Sequence, residues 1–411
     1  MTHAKRWARR FVHALLHLTV VPLTLLSYLV QITVAQQIVV DGRTDTALEV
    51  RGNVTEVSTA TVHGDNAFNS FRRFDVDAGN VVNLHLPTGT ENLINIVRDE
   101  RTDIHGVLNS VRDGRAGGNL YLINPHGLVV GADGVINAGA LNAFAVRQEV
   151  ADGLLDAAGN PSAALVQDLL DGNSPLGDGV IAIEGQINAA TDVRLQAASV
   201  SNSGQIESGA VFEARQPDFA DLVNVAAIEQ GTALRVANGE IEIVASNDIE
   251  NSGRIASEGS DHLDGGIIRL TAGRDLRHRD GELSVRGRGE DSDGGSIDAW
   301  ADRDATWTGT AAVDVRGGDV SGDGGAAEIS AARTVHVAGG VSRAQANDGR
   351  RGQVLIDPAE LQISGEHLSD GADLSFLASE RIVVAGSSVV SSRDIADGAD
   401  PRNGSSQGDS G

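Results

Sequence analysis

The chain contains no cysteine, little proline and few aromatic residues. Its 411 residues include eight prolines, eight phenylalanines, three tryptophans and two tyrosines. The absence of cysteine excludes a disulfide framework and every cysteine-based metal or nucleophile site. A chain of this length can still bury a large core, so its cohesion must come from non-covalent contacts.

Glycine and acidic residues are abundant instead. Fifty glycines, set among many Val, Ile, Ala and Asp residues, predict short strands separated by tight turns and argue against a helical bundle. The formal net charge of −25 argues against nucleic acid as a partner. There is no phosphate-binding loop, and no cofactor is expected.

The first 35 residues have the pattern of a signal peptide. An apolar run from Phe11 to Ala35, which has no acidic residue, follows four basic residues, Lys5, Arg6, Arg9 and Arg10. The small residues that end this run form a cleavage site and predict an exported mature chain beginning near Gln36. Its net charge would be −29, because cleavage removes four basic residues and no acidic one. A permanent membrane anchor is the alternative, since the run is long enough to span a bilayer.

One segment places a sharp turn between two apolar strands. Residues 119–131 read Asn-Leu-Tyr-Leu-Ile-Asn-Pro-His-Gly-Leu-Val-Val-Gly. Asn124, Pro125 and Gly127 fit a type I turn, because proline sets the φ of the second position and asparagine accepts from the following backbone. A two-residue hairpin turn needs positive φ where Pro125 lies, so the chain is predicted to turn a corner here. His126 has no partner spaced for catalysis and is interpreted as structural.

An aromatic and polar block lies earlier, within the β-rich stretch from Ile38 to Val146. Its residues of interest are Asn66, Phe68, Asn69, Ser70, Phe71 and Phe74. Clustered aromatic residues usually bury together, which predicts that the three phenylalanines form core or cap of the first coils. A docking surface for a partner is the alternative, and the two roles are not exclusive.

Residues 147–172 interrupt the β pattern. Ser162 is a candidate N-cap, and apolar residues at helical spacing follow it until Gly172, which predicts a short inserted helix near 162–171. Short strands resume at Val180.

The second half of the chain repeats itself. Glycine doublets begin at Gly265, Gly294 and Gly324, with intervals of 29 and 30 residues, and each opens an alternating strand. No single unit can bury its own apolar face. The units are therefore predicted to stack as coils of a parallel β-helix.

Asp264, Asp293 and Asp323 directly precede the three doublets, so stacking would align them in a ladder. Carboxylates about 5 Å apart repel by roughly 1 kcal/mol in water, so the ladder either splays into solvent or binds a cation such as Ca²⁺. The nonapeptide of calcium-binding β-rolls is absent, which favours splayed acids over a metal site.

In this order, the signal segment, the aromatic block, the Asn-Pro-x-Gly corner and the glycine repeats resemble the filamentous haemagglutinin family of bacterial two-partner secretion. Residues 66–79 and 119–131 look like two segments of that family's N-terminal secretion domain. Residues 352–358 are similar to a segment that often closes the first repeat block, and leukotoxin-like filamentous adhesins look closest. The family most often has asparagine where this chain has His126, and a second family motif, Asn-Pro-Asn-Leu, is not visible.

The strand and repeat patterns predict an all-β fold, a parallel β-helix with the short inserted helix, and the resemblance implies that this β-helix is right-handed. We expect a signal peptide over 1–35, a two-partner secretion domain over 36–215 and β-helix repeats over 216–360. Residues 361–411 are expected to start a further repeat and to end in a disordered stretch rich in Gly, Ser and Asp. We expect this sequence to be truncated there, with the repeats continuing beyond residue 411.

The resemblance implies a secreted adhesin or toxin carrier that is not an enzyme. Such a protein uses the Sec translocon, binds the periplasmic POTRA domains of an outer-membrane barrel transporter, and crosses unfolded to the cell surface or the medium. Ligands on host-cell or bacterial surfaces are expected partners. A chain without cysteine suits this passage, because a disulfide formed in the periplasm would leave a bulky loop. The resemblance marks the aromatic block and the corner Asn124–Gly127 as the secretion motif.

A carbohydrate-active β-helix enzyme, a polysaccharide lyase or hydrolase, is the alternative function. Such enzymes use this architecture with grouped acids and aromatic sugar platforms. The mature chain has Trp300 and Trp307 but no such group that the sequence places. His262, His278 and His336 lack metal-ligand spacing and are expected at the surface.

Overall fold

The computed structural model describes residues 37–209, 239–260 and 263–392. The predicted signal peptide, the stretch from residue 393 onward and His262 lie outside the described residues. Short strands stack in register on the strands of neighbouring coils, and each complete coil crosses three sheets in turn. The fold is a parallel β-helix, which confirms the prediction from the glycine repeats.

Sheet 1 begins with an antiparallel pair and continues in parallel. Ile38–Val40 and Val62–His63 both pair antiparallel with Asn66–Phe74, which is the first strand of the parallel series. The later strands of sheet 1 are Asn92–Val97, Asn119–Ile123, Ala140–Phe144, Val193–Ala197, Glu240–Ala245, Ile267–Ala272, Ser296–Ala301, Ala326–Ala331, Gln353–Ile356 and Asp373–Phe376.

Sheet 2 follows sheet 1 in each coil after a corner. Two long strands, Asp304–Asp314 and Thr334–Arg343, contribute their first parts to sheet 2 and their last parts to sheet 3. The other strands of sheet 2 are Thr102–Ile104, Gly127–Val130, Val180–Ile183, Ser199–Asn202, Ile249–Asn251, Asp275–Arg279, Glu360–Ser364 and Arg381–Val384.

Sheet 3 completes the coil. It opens with the antiparallel pair Thr46–Arg51 and Val54–Thr59, and Arg115–Ala116 folds back on Val107–Arg112. The other strands of sheet 3 are Val81–His85, Val135–Ala138, Gln186–Ala189, Gln205–Glu207, Arg254–Ala256, Glu282–Ser284, Glu366–Asp370 and Val389–Ser392.

The inward-facing Leu, Ile, Val and Ala side chains of the three sheets form one continuous core along the β-helix. In the later coils burial alternates along a strand, as in Glu240–Ala245, because only one face of sheet 1 is covered. In the early coils Asn92–Val97 is buried on both faces. Both faces of sheet 1 are therefore apolar at that level.

Two helices in the described chain cover the outer face of early sheet 1: Gln148–Gly153 and Ala163–Leu170. The second begins after Ser162, as predicted, and ends where the amide of Gly172, at a φ of +73°, donates to the Leu169 carbonyl. The first was not predicted, because six residues without a side-chain cap carry little local signal. Within the described ranges, no helix is long and apolar enough to cross a membrane.

The glycine doublets stack where the backbones of neighbouring coils approach most closely. A Cβ on Gly295 would lie 2.0 Å from the Gly266 carbonyl oxygen, and one on Gly325 would lie 2.0 Å from the Gly295 carbonyl oxygen. The repeat therefore requires glycine for space between coils as well as for turning.

Candidate functional site

The Asn-Pro-His-Gly segment forms the corner between sheet 1 and sheet 2. Asn119–Ile123 and Gly127–Val130, which flank it, each pair with strands of neighbouring coils. The Gly127 amide donates to the Asn124 carbonyl at 3.0 Å, and the His126 amide donates to Asn124 Oδ1 at 2.9 Å. The predicted turn and the predicted corner are both confirmed.

The Asn124 side chain also fastens the corner to the preceding coil. Its Nδ2 donates to the Glu100 carbonyl and to Thr102 Oγ1, each at 2.9 Å, and the residue is only 4% exposed. Every polar atom of this amide is used, as a buried amide requires. Pro125 is buried beside it.

His126 is the exposed member of the corner. Its Nε2 lies 3.0 Å from the carbonyl oxygen of Arg98. Because a carbonyl oxygen only accepts, Nε2 carries the proton and donates. The side chain thus links the corner to the turn that follows Asn92–Val97, in keeping with a structural role.

The three phenylalanines of the aromatic block are fully buried on strand Asn66–Phe74. Phe71 and Phe74 lie in the inner core with ring centroids 5.0 Å apart. Phe68 points to the opposite face of sheet 1 and packs in the cluster beneath the two helices. The core interpretation is confirmed, and the folded domain offers none of these rings for docking.

Asn69 and Ser70 hold the N-terminal segment against this strand. Asn69 Oδ1 accepts from Thr46 Oγ1 at 2.8 Å, and its Nδ2 donates to Asn95 Oδ1 at 3.0 Å. Ser70 Oγ donates to Asp41 Oδ2 at 2.6 Å. The polar half of the block therefore joins strands that are far apart in sequence.

Asparagine ladders run along the early coils and were missed from the sequence. In the first ladder, Asn92 Nδ2 donates to Asn66 Oδ1 at 2.8 Å, and Asn119 Nδ2 donates to Asn92 Oδ1 at 2.9 Å. A second ladder follows sheet 3 through Asn83, Asn109, Asn137 and Asn188, with side-chain distances of 2.9, 2.8 and 3.0 Å. The intervals of 26 and 28 residues between its first three members were the available signal.

The aspartates before the glycine doublets do align, and each caps a backbone amide of the next coil. Asp264 Oδ1 accepts from the Asp293 amide at 2.8 Å, and Asp293 Oδ1 accepts from the Asp323 amide at 2.7 Å. Asp323 accepts from the backbone and side chain of Arg350, which lowers its pKa. Within the described chain, no group of three or more metal-ligating side chains is present. The preference for acids without a bound cation stays a prediction.

A second ladder of charged residues lies at the corners of the later coils. Arg274, Arg303 and Arg333 each donate from Nε to a carboxylate of the preceding coil at 2.7 to 2.9 Å; these carboxylates are Asp248, Asp275 and Asp304. Arg274 is the largest cause of a pKa of about 2 for Asp248. These arginine–aspartate pairs connect neighbouring coils.

His278 is buried, so its predicted surface position was wrong. It is 4% exposed, accepts from Asn251 and donates to the Ala312 carbonyl at 3.1 Å. Burial lowers its pKa. His336 is half-buried on a strand. Trp307 is buried against His278, whereas Trp300 is partly exposed and donates to Asp302.

Comparison with known proteins places this architecture. The model of the TPS secretion domain family matches residues 35–299. The chain is similar to the HMW1 secretion domain from Haemophilus influenzae, at 16% sequence identity and a TM-score of 0.54, with 87% of this chain and 100% of that chain covered. It also aligns with a filamentous hemagglutinin secretion domain at 14% identity and a TM-score of 0.33, covering 86% and 99%. No curated protein matches.

The HMW1 likeness shows the fold, and the family match covers more than half of the chain. This family consists of secretion domains and is not an enzyme family, so the carbohydrate-active alternative is not supported. The chain belongs to the TPS secretion domain family: it is an exported two-partner secretion exoprotein, whose partner is a cognate outer-membrane transporter.

Proposed function

We propose that the aromatic block and the corner Asn124–Gly127 form the secretion motif of this exoprotein. The observation that carries the proposal is that both segments lie within residues 35–299, which the family model matches, and are connected to each other there. Block and corner are joined through the turn at Arg98, whose carbonyl accepts from His126 and whose side chain contacts Ser70. Most motif side chains are buried, so the motif acts mainly by fixing the shape of the first coils.

The proposed route begins with the Sec translocon and continues with the periplasmic POTRA domains of an outer-membrane barrel transporter. The chain crosses that transporter unfolded and folds outside. Each coil that stacks there buries apolar faces and strand edges, which opposes return into the pore. The inter-coil asparagine, aspartate and arginine ladders support such coil-by-coil growth.

We further propose that residues 36–215 are the secretion domain and residues 216–360 are structural repeats of an adhesin or toxin carrier. In this proposal the repeats have no catalytic role and need no cofactor. Many of their charged side chains bond to the neighbouring coil, as Arg303 does to Asp275. The ligand would lie on a host-cell or bacterial surface.

Secretion with the cognate transporter tests the proposal. The full chain is produced with and without the transporter in a Gram-negative host, and the protein in the medium, on the surface and in the periplasm is measured. Deletion of 66–131 should abolish transporter-dependent export. Deletion of 294–323 is the matched control, because it removes one coil and joins Asp293 to the equivalent Gly324. Normal export of the 66–131 deletion would contradict the secretion-motif assignment.

A further inference from the structure

The buried side chain of Arg98 joins stretches of chain that are widely separated in sequence. Its Nε donates to Asp41 Oδ2 at 3.0 Å and to Ser70 Oγ at 3.3 Å. Its Nη1 donates to the Ala151 carbonyl at 2.5 Å and to Asp152 Oδ1 at 3.1 Å. We name this set the Arg98 latch.

Both central charges of the latch are withdrawn from water. The side chains of Arg98 and Asp41 are 5% and 6% exposed. A buried charge needs a partner and hydrogen bonds. Asp41 receives them from Ser70 Oγ and from the Arg43 amide as well as from Arg98. Neither charge can be left alone in this position without a large penalty.

The latch also reaches the Asn-Pro-His-Gly corner through its backbone. The Arg98 carbonyl accepts from His126 Nε2 at 3.0 Å and from Gln148 Nε2 at 3.4 Å. One residue therefore contacts the N-terminal segment, the aromatic block, the corner and the first helix.

The helix Gln148–Gly153 depends on these contacts. It has six residues and no side-chain cap, so it has little stability of its own. Arg98 donates to the Ala151 carbonyl, and Arg43 donates to the Asp152 and Leu155 carbonyls at 3.4 and 3.3 Å. Two arginines thus satisfy carbonyls at its C-terminal end, where positive charge is favourable.

We infer that the Arg98 latch is a conformational device that closes the first coils in one cooperative step. Asp41 and Asp152 lie 57 and 54 residues from Arg98, on opposite sides in sequence. The block and the corner reach their final geometry only when the first helix docks. Later coils, which the aspartate and arginine ladders join to their neighbours, add to this closed unit. The inference concerns folding and does not depend on the secretion role of the motif.

Hydrogen exchange measured by mass spectrometry on the full mature chain tests the latch. Arg98→Met should accelerate exchange at least tenfold in 66–74, 119–130 and 148–155 together, while 296–331 stays unchanged. Arg101→Met is the matched control, because Arg101 is half-exposed in the same turn and bonds to Asp103, two residues away. It should leave all these segments protected.

If Arg98→Met does not fold, Asp152→Asn provides a second test of the latch. It weakens one partially exposed arm of the latch and leaves the Ala151 contact in place. The same three segments should exchange faster together, by a smaller factor. Acceleration confined to 148–155, or to the turn at Arg98, in whichever variant folds would overturn the inference.

Discussion

Gly127 lies directly against Val180 of the next coil: a Cβ at position 127 would be 2.1 Å from the Val180 carbonyl oxygen. The φ of Gly127 is +95°, which L side chains rarely adopt. From the other side, a Cβ on Gly179 would lie 2.4 Å from the Pro125 carbonyl oxygen. The corner therefore closes on its neighbour through backbone contact.

Replacing Gly127 with alanine should destabilise the folded protein strongly. Backbone strain alone costs about 1–3 kcal/mol, and the overlap with Val180 adds to it. Gly89→Ala is the matched control, because Gly89 has a φ of +86° and open space around its Cβ position. Urea unfolding should show a clearly larger loss for Gly127→Ala, and equal losses would refute the packing role.

The sheet 3 asparagine ladder should be sensitive to loss of its middle rung. Asn109→Ala removes the donor to Asn83 Oδ1 and the acceptor of Asn137 Nδ2, and each unsatisfied buried group costs about 1–3 kcal/mol. Asn53→Ala removes an exposed amide that bonds to a backbone carbonyl. Its unfolding free energy should change by less than about 1 kcal/mol. A similar effect of both substitutions would argue against the ladder.

Stability should fall as pH drops below about 6.5, because burial lowers the pKa of His278 and of His367. Each ordinarily titrates near 6.5, so the unfolded chain takes up these protons before the folded chain does. Their contribution is full above that pH and is lost on acidification, by up to about 1.4 kcal/mol per pH unit for each.

Urea midpoints between pH 8 and 5.5 measure this slope. Replacing both buried histidines with glutamine should flatten it, whereas replacing exposed His63 with glutamine should not. A double variant that keeps the wild-type slope would show that other groups cause the pH dependence.

Export should depend much more on the Asn124 side chain than on the His126 side chain. Asn124→Ala removes hydrogen bonds within the turn and to the preceding coil, so export should fall at least fivefold. His126→Ala removes one bond of an exposed side chain and should retain most export. The test is the secreted fraction in pulse-chase experiments with the transporter. The reverse order would mean that the transporter reads the His126 side chain.

Calcium should not stabilise the repeats. In the aspartate ladder, Oδ1 of Asp264 and Oδ1 of Asp293 already accept backbone amides of the next coil. Calorimetric titration with Ca²⁺ should give no heat and no shift of the melting temperature. Asp293→Ala should lower stability by about 1 kcal/mol through loss of one such bond. A calcium-dependent rise in melting temperature that Asp293→Ala abolishes would establish a cation site.

Local patterns predicted much of the fold. The helix after Ser162 was found because it has an N-terminal boundary, helical spacing and a terminating glycine within a short stretch. The helix Gln148–Gly153 was missed because Arg98 and Arg43, far away in sequence, hold its end. The predicted surface position of His278 was wrong, although the apolar residue Leu276, two residues earlier, points to the same face of the strand and indicated a buried face.

The sequence by itself determined the β-helix, the corner at Asn124 and the burial of the aromatic block, because turn chemistry and repeat spacing act over a few residues or one coil. Only the tertiary structure decided that Asp41, Ser70, Arg98 and the first helix meet. Such a junction depends on how several coils stack, and no local interval in the sequence records it. The asparagine ladders lie between these cases, since their spacing is visible but their contacts require the register of the sheets.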